Sequence, residues 1–531
     1  MKDRLSSARA GVWAGLLAAA AGEIAASASR RGRSPASGLA RGMVDVSPAM
    51  FVDGGVAVVG QADKPGLIVI ATGVSAAAAA AGAALAARSV TVGAATAAAP
   101  HALGGLLALR HGDASVSGTA AATGAGVFVA TAAVAPVRPR TRVAFAAVAA
   151  AGAAAVAADR RARRRAATEL RDRAKLPQPA RPLAPVPAGE MTRPAGVAPL
   201  LFKPGQFPVI DITVPEPRVD LDLWRLEVDG EVAAPFAMTL PELLELPLEE
   251  RDLLMICVHN PVGGDRMGCT RWTGIPVADL LDRAGATVGA GEGDGWLVVE
   301  SVDGYSNVLP LAEARERAFL AVGMAGEPLP REHGSPARLL VPGRTGQDGQ
   351  TKWVRRLTVT GTAPLSYWGQ RGWLDGTYPV HPSARIDVPG PHSRLAAGET
   401  GIHGYAWAPP VGVDAVQVQV DGGPWLDATL GVDLGPDAWR PWSLTWQATP
   451  GRHRLRVRCR PIGGDWQDDT DATPYPHGVR GIHTVTVHVG GSAAAAATRR
   501  VADEAATRMS WGVRSVAAWR TGAGQQAAHG R

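Results

Sequence analysis

The sequence predicts an α-helical transmembrane bundle, then a mixed α+β domain, then a β-sandwich. Three observations carry that order. Residues 1–160 are dominated by Ala, Gly and Val with few acidic side chains, whereas 200–490 hold most of the tryptophans and most of the acids. Between 200 and 390, strand-like runs (LLMICV, GWLVVES, ARLLVPG, WVRRLTVTG) alternate with short helical segments (TLPELLEL, PVADLLDRAG), the pattern of a mixed α+β domain. From 391 to 490 the runs AVQVQV, HRLRVRC and HTVTVHV alternate in polarity and are punctuated by Gly and Pro, as in a sandwich of short strands. A chain of 531 residues has room for about three domains.

In the first part, five weakly apolar stretches, at 10–28, 66–86, 89–109, 116–136 and 143–158, match the length of about 20 residues that crosses a bilayer. Each is marginal alone, so the helices must support one another, and their Gly and Ala content permits close packing. Glu23 falls near the end of the first stretch, where its carboxylate can reach the interface. No cleavage site follows that stretch, which is therefore expected to remain as an anchor. His101 and His111 are the only histidines in the region, so a haem held between paired histidines is not expected. The Lys and Arg count places the cationic excess on the side of the later domains, against the usual charge rule.

Residues 161–199 form a linker, first Arg-rich (RRARRRAATELRDRAK) and then Pro-rich (PQPARPLAPVP), a semi-rigid tether. The net charge of +6 resides in such clusters without a basic face interleaved with aromatics, which excludes a nucleic-acid partner. Residues 491–531 are rich in Ala and Gly and are expected to be disordered. The three cysteines, Cys257, Cys269 and Cys459, fit neither a disulfide framework nor a zinc site.

Cys257 ends the apolar run LLMICVHN (253–260), and about 75 residues later come EHGSPARLLVPG (332–343) and QTKW (350–353). A thiolate is a soft ligand for a thiophilic metal. Arg338 can pair with phosphate oxygens bidentately, Lys352 adds a point charge and His333 a further donor. Asn260, two residues past Val258, can hydrogen-bond the ligand loop. His259 should share a strand face with Cys257, and Cys269 should lie in the loop beyond that strand.

In order and spacing these motifs, with PRVDLDLWRLEVDGEV (217–232), TRWTGIPVADLLDRAGA (270–286), VDGYSNVLPL (302–311), AVGMAGEPLPREHG (321–334) and SARIDVP (383–389), resemble the sulfite oxidase family of molybdopterin-dependent oxidoreductases. The resemblance covers about 200–490. It implies a molybdopterin-binding domain at 200–390, an immunoglobulin-like dimerisation domain at 391–490 and hence a homodimer. It also implies molybdenum-molybdopterin as cofactor, with Cys257 as metal ligand and Asn260, His333, Arg338, Gln350, Thr351 and Lys352 about the pterin. Similar membrane-anchored actinobacterial proteins place the domain outside the cytoplasm, exported through a twin-arginine signal. Here Arg140-Thr141-Arg142 stands where that pair would be.

Departures from the family concern the substrate. Val209 stands where relatives carry an Arg, Arg371-Gly372-Trp373 replaces an Arg-Asp-Tyr run, and PGRTGQDGQTKW (342–353) introduces Arg344, Gln347 and Asp348. The resemblance thus implies Cys257, Arg344 and Trp373 at the catalytic centre, a small substrate taking or giving an oxo group, and an electron-transfer partner that the sequence does not name. Two other readings remain: a cofactor-binding protein whose catalysis is lost, and a cell-surface protein that uses the sandwich for adhesion and binds no molybdenum.

Overall fold

The computed structural model describes residues 12, 15–22, 26, 34–46, 63–86, 88–109, 116–134, 175–191, 193–213, 216–286, 295–373, 378–473 and 478–490. The stretch at 143–158, Glu23, His111, the Arg140 and Arg142 pair, the first part of the linker and the tail at 491–531 lie outside these residues. Residues 15–22 are helical, followed by α1 (Pro35–Val46), α2 (Asp63–Ala86), α3 (Val90–Leu109) and α4 (Val116–Val134). Of these, Val69–Ala86 and Val90–Leu109 are long and apolar enough to cross a membrane. Glycine sets how closely the helices approach. A Cβ on Gly38 would fall 1.9 Å from the Gly104 carbonyl oxygen, and one on Gly82 would fall 2.5 Å from that of Gly93, contacts that only a residue without a side chain permits. Helix α1, which the sequence did not single out, packs on the start of α2 and the end of α3 through Leu39, Ala40, Leu67, Ala71 and Leu107. Its buried Arg41 leaves the bundle, donating to the Ile212 carbonyl and, at 3.3 Å, to the Tyr367 hydroxyl of the next domain.

The second domain has two sheets. In the first the strand order is β2-β1-β11-β5-β6, and in the second β10-β9-β7-β4-β3, with β8 on β7. The strands are β1 (Arg225–Gly230), β2 (Phe236–Thr239), β3 (Glu249–Ile256), β4 (Met267–Pro276), β5 (Trp296–Ser301), β6 (Ser306–Pro310), β7 (Phe319–Met324), β8 (Glu327–Pro328), β9 (Arg338–Leu340), β10 (Gln350–Thr351) and β11 (Val354–Thr360). Local signals place the helices. Thr239 and Glu242 form a reciprocal capping box that opens α5 (Leu240–Leu244), satisfying otherwise orphan amides. In α6 (Val277–Ala284) the buried residues are Val277, Leu280, Leu281 and Ala284, one face at helical spacing, and Gly285 closes it with φ 61°. Helix α7 (Leu311–Arg317) follows β6. Both sheets and these helices share one core that includes Leu226, Val228, Leu297, Val299, Leu320 and Leu357.

In the third domain, β12 (Ser383–Val388), β14 (Gly398–Trp407), β18 (Arg440–Ala448) and β17 (Thr429–Leu430) form one sheet, ordered β12-β14-β18-β17. The other runs β13-β20-β19-β15-β16, from β13 (Arg394–Leu395), β15 (Val413–Val420), β16 (Trp425–Asp427), β19 (Gly451–Pro461) and β20 (His483–Val489). The two enclose a common core of Ile402, Trp442, Val416, Val418, Leu455, Val457 and Val485. A further cluster joins this region to β3 and β4: Leu200, Leu254, Ile256, Met267 and Cys269 pack with Tyr405, Trp407 and Trp439. The Tyr405 and Trp439 rings stack at 3.9 Å, and Trp439 Nε1 donates to the Leu200 carbonyl at 2.8 Å. Cys269 belongs to this packing. It lies in β4, fully buried, and not in the loop expected beyond the metal strand.

Gly230 ends β1 with φ 88°, and a Cβ there would meet the Val359 carbonyl oxygen of the parallel partner β11 at 2.1 Å. Both the dihedral and the close approach penalise a side chain, so Gly230→Ala should cost about 2 kcal/mol or more. Thermal unfolding of the purified protein would register this as a lowered midpoint; an unchanged midpoint would show that the β1–β11 pair relaxes freely.

Candidate cofactor and active site

The metal-ligand candidate sits just past a strand end. Pairing of β3 with β4 closes at Ile256↔Met267, and the chain then turns, with Asn260 N–H donating to the Cys257 carbonyl at 2.9 Å. The Asn260 side chain staples this turn, its Oδ1 accepting from Arg266 N–H at 2.8 Å and its Nδ2 lying 3.6 Å from Met267 Sδ. Arg266 in turn donates to the His259 carbonyl at 2.9 Å. Because 257–260 is a turn and not a strand, alternation does not decide where His259 points. Its ring packs edge-on against Trp373 at 5.9 Å.

Cys257 lines an open cleft whose walls include Asn260, Thr345, His381, Trp407 and Arg480. The other two thiols are sealed in cores, fully buried, and burial pushes the Cys459 thiol up to about 12 and that of Cys269 higher still. Among the three, the thiol able to meet a ligand is therefore Cys257.

A second cluster gathers the cationic candidates. Arg338, on β9, is 2% exposed; its guanidinium donates to the His333 carbonyl at 3.0 Å and to Gln350 Oε1 at 2.7 Å. Both acceptors are neutral, and burial pulls this guanidinium down to about 9. Lys352 Nζ donates to the Glu332 carbonyl at 2.7 Å and pairs with Asp211 at 2.9 Å. Gly334, with φ 109°, lies against Lys352: a Cβ there would fall 2.9 Å from the lysine Cβ. Gln350 and Thr351 are held by Asn307 Nδ2, which donates to the Gln350 carbonyl at 2.9 Å and to Thr351 Oγ1 at 3.1 Å. His333 is fully buried, its Nε2 at 2.8 Å from the Pro204 carbonyl. His333 Nδ1 and Arg338 Nε are buried without hydrogen-bond partners. One buried cation whose hydrogen-bond acceptors are both neutral, beside two orphan polar atoms, is an environment that an anion with donor and acceptor oxygens would satisfy.

The substrate candidates are placed otherwise than the sequence implied. Arg344 is 4% exposed and donates through Nε to Glu313 Oε1 at 2.8 Å, through Nη2 to Glu313 Oε2, and through Nη1 to Asp348 Oδ2 at 3.1 Å. Asp348 also accepts from Tyr378 N–H at 2.8 Å, and burial raises its carboxyl to about 7. The Arg344 guanidinium thus serves an internal ion-pair network. Trp373, 2% exposed, packs on His259, on Trp368 at 6.2 Å and on Tyr378 at 5.3 Å, behind the ligand turn. The sequence does not reveal His381 and Arg480, which line the cleft, or Asp211, whose carboxylate meets Lys352. None of the three lies in a motif that signals its partner.

A profile of the oxidoreductase molybdopterin-binding domain matches residues 212–368, which contain Cys257, His333, Arg338 and Lys352. This stretch is a molybdopterin-binding oxidoreductase domain of the sulfite oxidase type. The chain is 28% identical over 327 residues to mitochondrial sulfite oxidase of Rattus norvegicus, covering 52% of this chain and 59% of that protein. It is also 28% identical over 177 residues to the nitrate reductase [NADH] clone PBNBR1412 of Brassica napus, covering 29% of this chain and 19% of that one. Among solved structures, the sulfane dehydrogenase SoxCD of Paracoccus pantotrophus aligns with a TM-score of 0.45 at 24% identity, covering 52% of this chain and 79% of its own.

Burial holds His333 down to about 3, against 6.5 for the ordinary group. Between those values the unfolded chain carries a proton that the folded chain does not. The residue's contribution to stability is therefore complete above about pH 6.5 and falls by about 1.4 kcal/mol per pH unit as acidity rises. Thermal unfolding between pH 7 and 5 should show a falling midpoint, with a shallower fall in His333→Gln; equal slopes would remove His333 as the titrating group.

Proposed function

We propose that this chain is a membrane-anchored molybdopterin-dependent oxidoreductase that moves an oxo group to or from a small sulfite- or sulfoxide-like substrate and exchanges electrons with a separate partner. The observation that carries the proposal is the contrast among the thiols: Cys257 opens onto a cleft while Cys269 and Cys459 are sealed. When bound, molybdenum-molybdopterin would supply the two-electron oxo-transfer chemistry. The protein's own residues would do the rest. Cys257 ligates the metal as a thiolate, and Asn260 fixes the turn that presents it. Arg338, Lys352 and His333 hold the phosphate end of the pterin, with Gln350 and Thr351 shaping the strand beside it. Arg480 and His381 line the cleft at Cys257, so a substrate bearing anionic oxygen would meet a guanidinium and an imidazole there. Arg480 pairs with Asp468 at 3.4 Å with 38% of its side chain exposed, so it can turn to a substrate at small cost. Arg344 and Trp373 shape the loop and turn from behind.

The domain division we favour is 1–160 transmembrane, 161–199 linker, 200–382 molybdopterin-binding and 383–490 immunoglobulin-like and dimerising, with 491–531 a tail; the boundary lies before and not after 390 because β12 pairs with β14. Two sheets over one core support the third assignment. Two apolar helices support the first. The Arg41 contact with Ile212 and Tyr367 supports one further point, that residues 34–46 and the molybdopterin-binding domain occupy the same side of the membrane. With the N-terminus inside and residues 10–28 crossing, that side is extracytoplasmic. A reporter that works only outside the cytoplasm, fused after residue 200, should be active; activity of a cytoplasm-only reporter there would reverse the orientation.

The full chain made in a host that synthesises molybdopterin should carry about one molybdenum per chain. Cys257→Ser should lose oxidoreductase activity because a hydroxyl is a harder and weaker donor, whereas full activity in that variant would overturn the assignment. Retained molybdenum in the parent with no turnover of any oxo-transfer substrate would favour the reading as a cofactor-binding protein with lost catalysis.

A further inference from the structure

Lys352 is not held by its own strand neighbours alone. Its Nζ meets Asp211 at 2.9 Å, and both side chains are nearly sealed, 6% and 4% exposed. Asp211 belongs to an irregular segment, so something must fix it. Part of the answer is local: Asp211 Oδ1 accepts from Thr213 N–H and from Thr213 Oγ1, each at 3.1 Å. The remainder comes from far away in sequence. The carbonyl of Ile212, the residue between them, accepts from Arg41 of α1, a buried guanidinium that also donates to the Tyr367 hydroxyl at 3.3 Å and lies 5.8 Å from the Tyr367 ring. Tyr367 is itself clamped, its ring against Tyr305 at 5.2 Å and beneath the Arg371 guanidinium at 3.6 Å. Arg41 therefore ties a rigid aromatic post to the turn that aims Asp211.

We infer that Arg41 is a positioning residue for the phosphate end of the cofactor, acting through Ile212 and Asp211 on Lys352, so that docking of helix α1 on the molybdopterin-binding domain sets how tightly the cofactor is held. The inference rests on the reading in which Lys352 and Arg338 grip that phosphate. Its physical content is entropic and electrostatic. A carboxylate fixed beside the ammonium, with the Glu332 carbonyl on it as well, keeps the lysine head in one place before a ligand arrives, whereas a loose 211–213 turn lets Asp211 roam and the lysine with it. A helix of the bundle thereby enters a site formed otherwise by the second domain.

The test uses full-length protein, loaded in vivo and purified in detergent, and follows release of the pterin by its fluorescence after oxidation, with no turnover required. Arg41→Ala should release pterin about fivefold faster than the parent, as expected for losing part of a charge-assisted bond. Arg41→Lys, which keeps the charge but not the fork, should fall between them. Tyr367→Phe, which leaves the Ile212 bond in place, should behave as the parent. On an Asp211→Asn background Arg41→Ala should add nothing, because the two act along one path. Release unchanged in Arg41→Ala while Lys352→Ala accelerates it overturns the inference, as does an additive effect in the double variant. Release unchanged in Lys352→Ala overturns the phosphate-end reading and this inference with it.

Discussion

The site depends on the end of one strand pair. β3 and β4 part at Ile256 and Met267, and the ten-residue excursion between them must return in register while leaving Cys257 on the wall of the cleft. Asn260 closes the excursion from within through the Arg266 amide. From outside, Arg385 of the third domain donates to the Gly264 carbonyl at 2.8 Å, and the His483 ring lies so close to Gly263 that a Cβ there would sit 2.2 Å from it. The turn is thus held from two domains at once. Its partners are mostly backbone amides and carbonyls, whose geometry tolerates little slack.

That arrangement explains the division of labour among the polar residues. A carboxylate neutralises a buried cation beside it, yet a wholly unpaired buried charge is costly. The chain resolves this unevenly. Arg344 is neutralised by Glu313 and Asp348, Lys352 by Asp211, and Arg338 is left with neutral acceptors. Arg338 is thus the one of these three cations without a carboxylate in hydrogen-bond contact.

Much of this was legible in the sequence, for identifiable reasons. Cys257, His333, Arg338 and Lys352 sit in motifs whose residue types suit a soft metal and an anion, and the structure buries all four. The three apolar stretches at 66–86, 89–109 and 116–136 coincide with helices within a few residues. The sequence leaves Arg344 looking like a substrate residue because nothing local reveals Glu313, 31 positions away, as its partner. Cys269 resembles a loop residue in sequence because MGCTRWTG lacks the unbroken apolar run that marks β3; its burial comes from Trp439 and Tyr405 of another domain. Arg480, His381 and Arg41 were invisible for the same reason. Each acquires a role through a contact between segments more than a hundred residues apart, and such contacts leave no periodic trace.

The seam formed by Leu254, Met267 and Cys269 against Tyr405, Trp407 and Trp439 has a consequence for modularity. Residues 212–368 are the portion that matches the domain profile, yet excised they would expose that seam and lose Arg385, His483 and the far wall of the cleft. What is inherited as a recognisable unit is therefore smaller than what folds as one. Recombination that swapped the sandwich for another would have to reproduce a ring, a guanidinium and an imidazole at fixed positions before the thiol regained its setting, so the two regions are constrained to diverge together.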